Sequence, residues 1–93
     1  MTINTSAKTV GTAASSIILV ENFASAAKDG RITYEVYNNG SAIIYLGGTD
    51  AVTTSTGIPI PPKASRTLDL RLGSNIYAIS GTAGQDIRVM EVI

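Results

Sequence analysis

The chain has 93 residues and carries seven basic and seven acidic side chains, so it lacks the basic excess of a nucleic-acid-binding surface. Cysteine and histidine are both absent, which removes disulfides, the usual zinc ligands, the thiol nucleophile and the commonest general base. The length suits one compact domain, and a domain of this size hides only about 60–65% of the surface of its unfolded chain, so a partner surface adds to its stability.

Residues 1–8 are polar and read as an N-terminal arm, either ordered on docking or frayed, ahead of a single β-sandwich domain over 9–93. Met1 to Ser6 has neither a basic start nor an apolar stretch, so it does not read as a signal peptide. Thr5–Val10 and Ser16–Val20 read as two strands separated by Gly11-Thr12-Ala13-Ala14. The apolar run Ile17–Val20 is too short to span a bilayer, and the expectation is a soluble protein with no membrane partner. Glu21–Gly30 contains Phe23, Ala24, Ala26 and Ala27, enough for one helical turn, but its shortness and its Asp29-Gly30 ending favour a loop.

Arg31–Asn38 alternates, with Ile32, Tyr34 and Val36 on one face and Thr33, Glu35 and Tyr37 on the other. Asn39-Gly40 follows, the strongest short-range hairpin signal because both residues tolerate positive φ, and Ala42–Leu46 reads as the returning strand. Thr49 to Ala64 is irregular, and its prolines at 59, 61 and 62 bar it from a central strand. It is expected to run extended along an edge, pinned to the core by Ile58 and Ile60. Arg66–Leu72 points Leu68, Leu70 and Leu72 inward and Asp69 and Arg71 outward. Ile76–Ser80 and Asp86–Val92 complete about seven short strands, the pattern of an all-β protein: a small antiparallel β-sandwich or jelly-roll-like barrel.

Catalytic chemistry has little to work with. The acids Glu21, Glu35, Asp50, Asp69, Asp86 and Glu91 are scattered, and those on strands sit beside arginine or threonine, where a solvated cross-strand partner accounts for them. Calcium needs several oxygen donors in one loop, and neither Asp50 nor Asp86 has such company. The expectation is no enzyme, no metal and no cofactor. Tyr34, Tyr37, Tyr45 and Tyr77 raise a carbohydrate groove, but Tyr34 and Tyr37 face opposite ways, so core packing with the hydroxyl at an edge fits better. Tyr37 or Tyr45 also suits a subunit interface.

The strings Val36-Tyr37-Asn38-Asn39-Gly40-Ser41 and Ile44-Tyr45-Leu46-Gly47-Gly48 resemble a type of small structural protein from tailed-bacteriophage virions. So do Val52-Thr53-Thr54-Ser55-Thr56-Gly57-Ile58-Pro59-Ile60, Ile76-Tyr77-Ala78-Ile79-Ser80-Gly81-Thr82-Ala83-Gly84 and Asp86-Ile87-Arg88-Val89-Met90-Glu91-Val92. The resemblance runs from Arg31 onward, and Glu21 to Gly30 is longer than the turn it implies. It implies a capsid decoration (cement) protein on the outer surface of the virion, made in the host cytoplasm. Such a protein clamps neighbouring major capsid subunits and associates with itself, as a trimer rather than a dimer. A tail, baseplate or fibre module and a carbohydrate-binding domain on the virion surface are the alternatives. The weakly charged exterior and the long 49–64 loop point to Thr53, Thr54, Ser55, Ile58, Pro59, Tyr37 and Tyr45 as interface residues.

Overall fold

The structure is a computed structural model, which describes residues 3–20, 31–71 and 73–92. Within them the chain forms eight strands and no helix: β1 (Ile3–Val10), β2 (Ser15–Leu19), β3 (Arg31–Asn38), β4 (Ile44–Gly47), β5 (Ile58–Ile60), β6 (Ser65–Arg71), β7 (Asn75–Ser80) and β8 (Gln85–Val92). The period-two pattern that predicts β3 is realised residue by residue. Ile32, Tyr34, Val36 and Asn38 are buried, and the residues between them are not.

Two four-stranded antiparallel sheets result, in the orders β1-β8-β3-β6 and β2-β7-β4-β5. Each strand of the first half pairs with its mirror image in the second: β1 with β8, β2 with β7, β3 with β6 and β4 with β5. The chain is thus one long double ribbon folded over itself, and the added pairs β3–β8 and β4–β7 close it into two layers. That winding is a jelly roll, one form of the small antiparallel β-sandwich that the alternation predicts. Val10, Ile17, Ile18, Val20, Ile32, Tyr34, Val36, Ile44, Leu46, Ile60, Ala78, Ile87 and Val89 fill the space between the layers. Burying one such Val, Leu or Ile side chain stabilises the fold by about 1.5–3 kcal/mol.

Four sequence expectations change. First, β3 and β4 are not a hairpin: β3 pairs with β6 and β8, and β4 with β5 and β7, in different sheets. Asn39-Gly40 is a corner between layers, and neither residue adopts the positive φ of a tight hairpin turn. The glycine serves close approach instead, because a Cβ at Gly40 would collide with the Gln85 carboxamide oxygen. Second, Ile3–Lys8 is not a separate arm. It lies in β1, paired with β8 from Ile3↔Val92 to Val10↔Gln85.

Third, Ile58–Ile60 is a true edge strand, one more than the seven expected, and only one of its isoleucines anchors it: Ile60 is buried while Ile58 is 51% exposed. Pro59 is tolerated there because an edge strand has one side with no ladder to join. Fourth, Leu68 and Leu70 turn inward as predicted but are only half-buried against the core. Leu72 and the Glu21–Gly30 loop lie outside the described residues.

Candidate interaction surfaces

The two sheets differ in charge. Among the described residues every charged side chain on a strand belongs to the first sheet: Lys8 on β1, Arg31 and Glu35 on β3, Arg66, Asp69 and Arg71 on β6, and Asp86, Arg88 and Glu91 on β8. The second sheet, built from SSIIL, IYLG, IPI and NIYAIS, carries none.

Alternation decides what this uncharged sheet shows to solvent. Ile44, Leu46, Ile60 and Ala78 are buried, so Tyr45, Pro59, Tyr77 and Ile79 face outward. Tyr45 stands between Pro59 on β5 and Ile79 on β7, forming one apolar row across three strands. Tyr77 lies between Gly47 and Ser16 in the next row, and Leu19 opposes Asn75 beyond it. A slip in register between Ser16 and Ile18 lets both Ile17 and Ile18 be buried and turns Leu19 out to 50% exposure. Ile43, 40% exposed, shares a depression of about 310 Å³ with Ala42, Tyr45, Thr54, Gly81 and Thr82. Outward-facing large apolar groups rimmed by threonine and glycine are the composition of a contact surface.

The sequence-predicted interface residues divide between the two layers. Tyr45, Pro59 and Thr54 come together at the outer face of the second sheet. Thr53, Thr54 and Ser55 belong to a turn that satisfies itself. The Thr53 amide donates to Thr56 Oγ1 (3.0 Å), the Ser55 amide donates to Thr53 Oγ1 (3.2 Å), and the Gly57 amide donates to the Thr53 carbonyl (2.9 Å). Ile58 sits at the rim of the same layer. Tyr37 does not join them. It lies on the outer face of the first sheet, in a depression of about 470 Å³ with Glu35, Arg88, Met90, Thr5 and Ala7. Leu19, Ile43, Tyr77 and Ile79 belong to the uncharged face and escape a reading of the sequence, since only register tells which way each points.

The polar side chains beneath these faces are structural. Asn38 is fully buried and ties the layers together: its Nδ2 donates to the carbonyls of Ala42 (2.8 Å) and Ile60 (2.9 Å), and its Oδ1 accepts from the Gly40 amide (2.9 Å). Gln85 Oε1 accepts from the amides of Ser41 (2.8 Å) and Ala42 (2.9 Å). The Asp86 carboxylate accepts from Asn39 Nδ2 and from Arg88, and these partners, the asparagine foremost, hold its pKa below the ordinary value. Tyr34 packs in the core and donates its hydroxyl to Glu91 Oε2 (2.8 Å). Burial first, then the hydrogen bond to Glu91 and its charge, push the phenol well above its ordinary range. Asp69 accepts from Thr33 Oγ1 (2.7 Å). Among the described residues no three metal-ligating side chains gather, and these acids are engaged in cross-strand or corner bonds.

No family model and no curated protein matches the chain. Among solved structures it is similar to a chain from Bacillus endospore appendages, described as forming a novel family of disulfide-linked pili. The TM-score is 0.52 at 13% sequence identity, over 97% of this chain and 82% of that one. The likeness is one of fold.

Proposed function

We propose that this protein is a structural subunit of a tailed-phage virion, a decoration protein that docks on major capsid subunits and strengthens the shell. The observation that carries the reading is the uncharged outer face of the second sheet. Strands that bring no ion to desolvate convert burial into binding at little polar cost. Its row of Tyr45, Pro59 and Ile79 supplies the aromatic and apolar centre that interfaces favour. The resemblance of Arg31 onward to small virion proteins supports a major capsid subunit as the occupant, and the jelly roll agrees with a structural role. The endospore pili are assembled structures as well, but their disulfide linkage is closed to a chain with no cysteine.

Cosedimentation with phage heads stripped of decoration tests this. Saturable binding at a fixed ratio to the major capsid subunit is the expected result, weakened at least tenfold by Ile79→Glu, which places a charge in the outward-facing apolar row. Binding that the variant leaves unchanged would remove this face from the interface. Recovery of the protein in tail fractions alone would move it to a fibre or baseplate.

A further inference from the structure

A sandwich of two open sheets has four edge strands, each a row of backbone donors and acceptors ready to pair with another strand unless something blunts it. Three of the four are blunted here. β5 is three residues long and contains Pro59, which has no N–H to give. β2 is short and broken by its bulge between Ser16 and Ile18. β6 carries Arg66, Asp69 and Arg71. β1 is different: eight residues in unbroken register with β8, without proline or bulge, and with Ile3 through Thr9 all exposed. No strand among the described residues pairs with its outer side.

β1 carries one charge, Lys8. Because Val10 is buried, Asn4, Ser6 and Lys8 lie on the same side of the strand, around a depression shared with Ile17, Tyr34 and Glu91. A lysine turned toward the sandwich side of an edge strand repels any incoming strand that brings no matching acid. A second copy brings one.

We propose that β1 pairs antiparallel with β1 of a second copy about a two-fold axis at Ser6, joining two four-stranded sheets into one of eight strands. An axis normal to the sheet keeps both inner faces on one side, so only residues of like parity can meet. With Ser6 opposite Ser6, Thr5 meets Ala7, Asn4 meets Lys8 and Ile3 meets Thr9, so the whole exposed stretch is paired. Each Lys8 then enters the row in which the partner's Asn4 donates its Nδ2 to the partner's Glu91 Oε1 (3.2 Å). The gap from Lys8 to Glu91 is two strand spacings, about 10 Å between backbones, which the two side chains span together. Centring on Ala7 sets Lys8 against Ser6, and centring on Thr5 sets it beyond Ile3, so in either register the lysine loses the row of Asn4 and Glu91. Two-fold pairing is self-complementary and closes at the dimer, so the edge is consumed without growing a fibre.

Sedimentation equilibrium of the isolated protein, with no capsid present, reads this association apart from head binding. The expected species is a dimer. Lys8→Glu is expected to weaken it at least tenfold, as is Glu91→Lys, and the double variant is expected to restore it. The melting temperature of each single variant separates lost pairing from lost folding. In a chain without cysteine, Ser6→Cys should oxidise to a covalent dimer, because directly opposed Cα atoms lie about 4.5–5.5 Å apart, within disulfide reach. Ala7→Cys should form no covalent dimer on oxidation because it faces Thr5. A wild-type monomer or trimer at all concentrations, no rescue in the double variant, or cross-linking as efficient at Ala7 as at Ser6 would each overturn the pairing.

Discussion

Replacing Asn38 by alanine is the sharpest perturbation of the fold. The substitution removes three hydrogen bonds from a fully buried site and strands the Gly40 amide and the carbonyls of Ala42 and Ile60. At about 1 kcal/mol net for each bond, with a further penalty wherever water fails to reach the stranded group, the cost is about 3–5 kcal/mol. The whole stability expected of a domain this size is about 5–14 kcal/mol, so the loss takes between about a fifth of it and all of it. Guanidinium unfolding followed by circular dichroism measures this as a fall in midpoint at constant slope. Asn38→Asp preserves the shape but turns a carboxylate oxygen toward two carbonyls. It should be at least as damaging at neutral pH and recover in acid, because the buried carboxyl regains a donor when protonated. A loss below about 1 kcal/mol for Asn38→Ala would refute the claim that this side chain holds the layers together.

Asp86 supplies a pH dependence. Its folded pKa lies below the unfolded value near 3.9, so its stabilisation is complete above about pH 4 and disappears as pH falls through the folded value. Asp86→Asn should flatten the acid limb of the stability profile, and NMR titration of the carboxylate should give a midpoint below that of a free aspartate. Leu70→Ala should cost about 1–3 kcal/mol, less than for a fully buried leucine because Leu70 is only half-buried. A change near zero in its unfolding curve would detach β6 from the core.

Strands were largely legible from alternation because one face of each is buried. The Ile32, Tyr34, Val36 pattern reads the same in the sequence and in the structure. Partnership was not. Asn39-Gly40 carries the local signature of a hairpin, but the buried Asn38 amide, reaching Ala42 and Ile60, turns the chain across to the other layer. A residue that ordinarily favours a turn is used here for its side-chain donor. The candidate interface was legible in part. Tyr45 and Pro59 are recognisable as aromatic and edge residues, whereas β7 buries its small Ala78 and Ser80 and turns the larger Tyr77 and Ile79, both half-buried, outward, against the usual size rule. The charge asymmetry between the sheets needs the strand order, because the two sheets draw alternate segments from the whole length of the chain.

Mirror-image pairing has a consequence for how the molecule is made. The β4–β5 pair is nearest in sequence and can form first. β8, which lies between β1 and β3 in the first sheet, is synthesised after the other seven described strands. Until it arrives, β1 has no neighbour and β3 has only β6, so every nascent chain passes through a stage with unfilled sheet edges. Folding of these two sheets must therefore wait for β8, and chains stalled short of Gln85 should be the species most prone to aggregate during synthesis.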